Sequence, residues 1–521
     1  MMNMTLENSD SILRERFGLS GFRRGQNEIL TSVLQGNDVL AVLPTGGGKS
    51  LCYQYPAVLK NELVIVISPL IALMKDQVSA LRQRGIPAGC LHSGQKEAEK
   101  REIFQQIEKG GTFILYLSPE RAQKEGFQRW VRQRKIALFA IDEAHCVSQW
   151  GHDFREEYSQ LGLLKQLRPD VPVLSLTASA TPLVLRDISK QLQLKTPQKH
   201  VHGFYRPNLY YQVETCTDDD SKMELLVQSL KQFPTGRVIV YCGTRKKTEE
   251  IAASLERSFA GVGFYHAGLS NENRNQTQDA YARGDLRILV ATNAFGMGID
   301  HPDVRLVVHF QMPANIDSLY QEMGRAGRDG QQSTCLMLYA RRDKGLQSYF
   351  IQQSEASSAI KSSRWNTLDA LVAYAEGSEC RHAEILTYYQ DSQRIERCGH
   401  CDSCDPRSER RVQKPVRTTI ASIAQGIAKP KKAKGISNSE VLSPDQQLIF
   451  DELRKWRKDK AKELDVPAFV VLGDRSLRDL AVKKPEGLSG LLEIYGLGEN
   501  KVERFGDEIL SVLTYGHGPQ D

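Results

Sequence analysis

Val39-Leu40-Ala41-Val42-Leu43 runs directly into Pro44-Thr45-Gly46-Gly47-Gly48-Lys49-Ser50. A short apolar run that stops at a glycine turn and passes into a helical pattern is a buried strand feeding a phosphate-binding loop. Glycines let successive backbone N–H groups converge on one anion. The following helix adds the positive end of its dipole, and a lysine at the turn reaches the outer phosphates. On this reading Thr45, Gly46, Gly47 and Gly48 cradle a nucleoside triphosphate, Lys49 neutralises its outer phosphates and Ser50 ligates magnesium. The strict pattern has glycine where Leu43 stands, so the loop needs corroboration from elsewhere in the chain.

Working outward, similar apolar runs recur at residues 63–67, 113–117, 137–141 and 171–176, then at 238–242, 288–291, 304–310 and 334–339, with helix-like polar segments between them. Unalternating runs of that length are strands buried on both faces of a parallel sheet. They fall into two groups separated at residues 203–208, which predicts two α/β lobes with a cleft between them, at 1–207 and 208–340. The strand pattern then ceases. A helical region is expected at 341–405, a linker at 406–440 and a small helical bundle at 441–521.

Corroboration for the loop comes from the run at 137–141, which ends in Asp142-Glu143-Ala144-His145. Adjacent carboxylates at a strand end suit phosphoryl transfer: Asp142 holds the magnesium, and Glu143 orients or deprotonates the attacking water. In the second group, Gln321-Glu322-Met323-Gly324-Arg325-Ala326-Gly327-Arg328 supplies two arginines one helical turn apart. Charge that builds on the γ-phosphate can be met by Arg325 and Arg328 from across the cleft, with Gln321 beside them.

With these residues in view, the chain resembles the RecQ family of DNA helicases in helicase superfamily 2, from about Leu13 to Cys404 and again at the C-terminus. Phe17-Gly18, Phe22-Arg23 and Gln26 match the family's N-terminal motif, which implies that Gln26 reads the adenine edge with Arg23 packed near it. Ser68-Pro69-Leu70, Ser118-Pro119-Glu120-Arg121, Thr177-Ala178-Ser179-Ala180-Thr181 and Ala294-Phe295-Gly296-Met297-Gly298-Ile299-Asp300 resemble its other motifs, with Ser179 in place of the usual threonine. Ser148-Gln149-Trp150-Gly151-His152-Asp153-Phe154-Arg155 is similar to its aromatic-rich loop, which senses single-stranded DNA, although Glu156 stands where proline is common. Trp150 and Phe154 offer stacking faces to bases, and Arg155 reaches phosphate. The resemblance implies two RecA-like lobes, ATP and magnesium between them, 3′→5′ translocation on single-stranded or partly duplex DNA, and a role in repair or recombination. It leaves open any single-strand-binding or repair protein as a partner.

Ten cysteines divide into six scattered ones (Cys52, Cys90, Cys146, Cys216, Cys242, Cys335) and a bunched set, Cys380, Cys398, Cys401 and Cys404. Thiolates at such spacing wrap one tetrahedral Zn²⁺, and a closed four-sulfur site has no open position for catalysis. His382 or His400 is an alternative ligand; the family resemblance favours all four sulfurs and a structural zinc.

The formal charge of +6 is concentrated. Residues 406–440 carry a net +7, through Arg407, Arg410, Arg411, Lys414, Arg417, Lys429, Lys431, Lys432 and Lys434 against Glu409 and Glu440, which leaves −1 for the remainder. Such a stretch is a disordered linker able to add salt-sensitive DNA contact. Relatives follow their zinc region with a winged helix, for which this interval is too short, so the chain is expected to hydrolyse ATP and translocate but to separate long duplexes poorly. Segments beyond it resemble the HRDC module. A charged N-terminus and the lack of any long apolar run predict a cytoplasmic or nucleoid-associated protein with no membrane partner, nuclear if the source is eukaryotic. An RNA-dependent ATPase, or an annealing scaffold with a vestigial site, are the rival readings; the latter is opposed by Lys49, Asp142, Glu143 and Arg328.

Overall fold

A computed structural model describes residues 9–44, 46–92, 94–151, 154–296, 301–414, 442–464 and 466–515. The first lobe is a seven-stranded sheet of β1 (Val39–Val42), β2 (Leu63–Ile67), β3 (Ala88–Leu91), β4 (Phe113–Leu117), β5 (Ile136–Ile141), β6 (Val173–Thr177) and β7 (Gln198–Val201), in the order β3-β4-β2-β5-β6-β1-β7. The second holds β8 (Leu209–Thr215), β9 (Arg237–Tyr241), β10 (Val262–Tyr265), β11 (Ile288–Ala291), β12 (Val304–His309) and β13 (Ser333–Tyr339), in the order β10-β11-β9-β12-β13-β8. Every ladder is parallel; β1 lies between β6 and β7, with Val39 opposite Leu174 and Gln198. Central strands such as β2 and β5 bury every side chain, because helices cover both faces. In a parallel sheet the chain ends that matter lie on one side, so the loops after β1, β5 and β6 open together.

Residues 203–208 carry the chain into the second lobe. Phe204 there stacks on Tyr389 at 4.2 Å and packs against Tyr320 at 5.0 Å. Beyond β13 come the helices α1 (Asp343–Gln353), α2 (Ser358–Glu376) and α3 (Arg381–Tyr388), then the cysteine loop. The buried Arg381–Asp402 ion pair (2.9 Å) closes that loop, and Asp402 also accepts from Val213 N at 2.8 Å, which ties the region to β8.

The interval read as a linker from residue 406 is corrected over its first part. Residues 406–414 dock on the second lobe: Val412 is fully buried in its core, Gln212 pairs with both backbone groups of Val412 (2.8 and 2.9 Å), and Glu214 holds Arg411 (2.6 Å) and Lys414 (3.1 Å). With Arg410 donating to Asn208 O at 2.6 Å, three of the counted cations are engaged by protein acceptors. Arg417, Lys429, Lys431, Lys432 and Lys434 lie outside the described residues.

The C-terminal bundle, from α4 (Pro444–Glu463) through α5 (Asp474–Lys483) to α6 (Glu499–Tyr515), has its own core around Leu453, Leu477, Leu480 and Ile509. It is seated on α2: Phe469 packs edge-on to Tyr374 at 5.9 Å, Arg454 pairs with Glu379 at 2.7 Å, and a Cβ on Gly473 would lie 3.2 Å from that of Ala373. Among the described residues no helix is long and apolar enough to cross a membrane.

Candidate active site

The loops after β1, β5 and β6 face the second lobe across a cavity of about 480 Å³. Its walls include Gly46, Gly48, Lys49, Ser50, Asp142 and Glu143 from one side, and Gln321, Arg325 and Arg328 from the other. Gly46 (φ +81°) and Gly48 (φ +76°) are left-handed, the conformation that turns neighbouring N–H groups inward and that a side chain would strain. Thr45 lies outside the described residues. Gln26 is buried against this loop: its Nε2 donates to Gly48 O at 2.9 Å and Gly47 O at 3.2 Å, while its Oε1 accepts from Arg23 N at 2.7 Å. Arg23 donates in turn to Gly46 O. A second cavity, lined by Phe17, Leu19, Arg23, Gln26 and Arg84, shares Gly48 and Ser50 with the first.

Asp142 is held by Glu143 N (3.0 Å). Its carboxyl is pushed up to about 7, by burial first and by the adjacent Glu143 second, against the opposing pull of Lys49. Buried Asp142, half-buried Glu143 and the Ser50 hydroxyl put oxygen donors on this wall, the chemistry that suits a divalent cation, while Lys49 beside them suits phosphate. Glu143 sits at φ +49°, a strained setting for a non-glycine residue that aims its carboxylate back toward His145, 3.3 Å away. Burial, with Lys49 and Arg155 nearby, lowers His145 to about 3, so the ring is neutral at pH 7.

From His145 a hydrogen-bonded series reaches the other lobe. His145 Nδ1 meets Thr177 Oγ1 at 2.9 Å, Thr177 Oγ1 donates to Ser179 O at 3.1 Å, and Gln321 Nε2 donates to Ser179 Oγ at 3.1 Å. The hydroxyl at position 179 is therefore used, whichever residue supplies it. Arg325 is buried and donates to Gly296 O. Residues Met297 to Asp300 lie outside the described residues.

The aromatic-rich segment begins where this series begins. Ser148 Oγ donates to Asp187 Oδ2 at 2.7 Å and accepts from Trp150 N at 3.2 Å. Gly151 is required, since a Cβ there would lie 2.4 Å from His145 O. Trp150 and Phe154 are 36% and 38% exposed, so neither belongs to the core. Arg155 Nη1 donates to Pro69 O at 3.4 Å, which joins the segment to the Ser68-Pro69-Leu70 turn. His152 and Asp153 lie outside the described residues.

Away from the cleft, the sulfurs of Cys380, Cys398, Cys401 and Cys404 lie within 4.8 Å of one another. Ala383 N (3.5 Å) and Cys398 N (3.3 Å) donate to Cys380 Sγ, and His400 N donates to Cys398 Sγ at 3.3 Å, the N–H support that thiolate ligands need. Both neighbouring histidines face other partners: His382 Nε2 and His400 Nδ1 each meet Leu209 O, at 3.1 and 3.2 Å, and His400 Nε2 meets Tyr205 OH at 3.0 Å. The four sulfurs fit zinc, and the histidines serve as struts to β8.

Sequence reasoning missed the parts of the site that act through backbone groups. His145 and Thr177 stood within quoted motifs, yet no spacing rule gave them roles. Arg206 and Asn208 had no signal, because their partners are carbonyls of a distant turn.

Four family models match the chain: DEAD/DEAH box helicase over residues 23–188, helicase conserved C-terminal domain over 221–330, RecQ zinc-binding over 341–405 and HRDC domain over 446–513. The ATP-dependent DNA helicase RecQ of Haemophilus influenzae is 33% identical over 595 aligned residues, covering 96% of this chain and 95% of the relative. That alignment exceeds the chain's 521 residues, so the relative carries a stretch without a counterpart here. The protein of the same name from Bacillus subtilis is 34% identical, covering 96% of this chain and 97% of its own. Among solved structures, Mycobacterium smegmatis helicase Lhr bound to ssDNA and AMP-PNP shares the fold, with a TM-score of 0.51 at 20% identity over 71% of this chain and 53% of that one.

Proposed function

The chain belongs to the RecQ family of ATP-dependent DNA helicases, and on that premise we propose that it moves 3′→5′ along single-stranded DNA in repair or recombination, each cleft closure driven by one ATP. The observation that carries this reading is the composition of the cleft, where Lys49, Asp142 and Glu143 of one lobe share a cavity with Gln321, Arg325 and Arg328 of the other. Ser50 and Asp142 would hold a magnesium ion, which would supply positive charge beside the phosphates. Lys49 and the loop's N–H groups bind the outer phosphates. Glu143 orients and deprotonates the attacking water, and Arg328 with Arg325 meets the negative charge that develops on the transferred group. Because the donors come from two bodies, only the closed cleft is competent; loss of the γ-phosphate releases the arginines and reopens it.

The second cavity is suited to the nucleotide's base, with Arg23 and Gln26 at its edge. Reading an adenine there requires Gln26 to exchange its bonds to Gly47 and Gly48 for bonds to the base, which would make the loop's shape depend on nucleotide.

DNA enters the account through Trp150, Phe154 and Arg155. Bases stacked on the exposed rings would pull on a segment anchored at Ser148, one turn from His145 and five residues from Glu143, and so set the water-activating carboxylate. Trp150→Ala is expected to lose most of the stimulation by single strands and to bind DNA more weakly by about 1–3 kcal/mol, the worth of one stacked base. Steady-state hydrolysis with and without a deoxythymidine oligomer, together with fluorescence anisotropy of the same oligomer, checks both. Full stimulation in the variant would remove Trp150 from the coupling.

A further inference from the structure

The connector between the lobes touches both halves of the catalytic cleft. At its start Gly203 (φ +83°) lies against the first residue of the phosphate loop, where an added Cβ would come 3.2 Å from Pro44 Cδ. At its end Arg206 Nη2 donates to Ala326 O and Gly327 O, each at 3.0 Å, and Asn208 Nδ2 donates to Gly327 O at 2.8 Å and Gln331 O at 3.0 Å. Those carbonyls belong to the turn that presents Arg328. The turn contains Gly324, Gly327 and Gly330, so its backbone has little stiffness of its own. Gly327 is left-handed (φ +55°), and a Cβ there would lie 2.5 Å from Asn208 Nδ2, so the amide's approach depends on glycine.

Asn208 is itself fixed. Its carbonyl accepts from Ser333 N at 3.0 Å and from Arg410 Nη2 at 2.6 Å. Midway along the connector, Phe204 N donates to Asp391 Oδ2 at 2.8 Å and Phe204 O accepts from Tyr320 OH at 3.3 Å.

We propose that Arg206 and Asn208 are positioning residues for Arg328, holding its turn so that rotation about the connector and placement of the arginine are one motion. A guanidinium on a long side chain meets a phosphoryl group productively only if its Cα is fixed, and a misplacement of about 1 Å costs about a hundredfold in rate. The donors from Arg206 and Asn208 grip the backbone on both sides of Arg328, at Ala326, Gly327 and Gln331. The same short connector rests on Pro44, so the span between the loop carrying Lys49 and the turn carrying Arg328 is set by the connector's shape. The proposal rests on Arg328 acting in the cleft, as argued above.

The test is a double-mutant cycle on the full-length protein, with single-strand-stimulated ATP turnover as the rate. Asn208→Ala, and Asn208→Asp, which keeps the volume and removes the donors, are each expected to lower kcat by about tenfold to a hundredfold. Melting temperature, bound metal and affinity for a fluorescent ADP analogue should stay at parental values. Arg206→Ala should behave alike. In an Arg328→Ala background the Asn208 substitutions should cost nothing further, since the arginine they position is gone. Equal losses in both backgrounds would make Asn208 a general structural residue and overturn the proposal, as would undiminished turnover in Asn208→Asp. If Arg328→Ala itself turned over at the parental rate, the assignment of Arg328 would fall; a slow Arg328→Ala beside a fully active Asn208→Ala would overturn the positioning alone.

Discussion

Glu143→Gln is expected to bind ATP as the parent chain does and to hydrolyse it about a hundred to ten thousand times more slowly. The substitution keeps the side chain's length and its contacts with His145, and removes only the capacity to take a proton. On the proposed reading it is Asp142 that would hold magnesium, and its hydrogen bond from Glu143 N is a backbone contact that the variant retains. Equilibrium binding of a fluorescent nucleotide and single-turnover hydrolysis, run side by side, separate the two functions. Lost binding would show that Glu143 shapes the site rather than acting in it.

Arg328→Ala is the complementary case from the other lobe, with an expected loss of about a thousandfold in kcat, in the range that removal of a charge-stabilising arginine costs other phosphoryl-transfer sites. Nucleotide affinity should fall far less, because Lys49 and the loop remain and the arginine contributes most as charge develops. A variant that lost affinity and kept kcat would place Arg328 in ground-state binding instead. Together the two variants ask whether the cleft is a composite of two lobes, since neither residue's loss can be repaired from its own side.

Where each residue sits decides how much of this is legible without the fold. Among the described residues the nine central strands were readable, because burial on both faces writes an unbroken apolar run such as Leu63 to Ile67. The four that were missed, β3, β7, β8 and β10, are the four sheet edges. An edge strand is relieved of that demand: β7 reads Gln-Lys-His-Val and is largely exposed, and β8 mixes Gln212 and Glu214 into its run. The charge count from residue 406 misled for a related reason, because a cation's partner is invisible in sequence. Glu214, on a distant strand, claims two of those cations. Val412, the lone apolar residue among residues 406–414, was the available sign of docking.

In the cleft, motif residues with charged side chains were readable because phosphate chemistry restricts them. The series from His145 through Thr177 and Ser179 to Gln321 was not, since it joins β5, β6 and the second lobe through groups that any buried polar residue could supply. Gln26 shows the limit from the other side: the family resemblance assigned it to the base, and the fold shows what it holds in the meantime.

Coupling of the cleft to DNA is tested most directly by one measurement: the rate of ATP hydrolysis by the full-length protein with single-stranded DNA, with RNA of the same sequence, and with no nucleic acid. A cleft gated by Trp150 and Phe154 predicts slow turnover alone and an increase on the order of tenfold or more with DNA, and membership of a DNA helicase family predicts little increase with RNA. Equal rates under all three conditions, or stimulation by RNA as strong as by DNA, would contradict it.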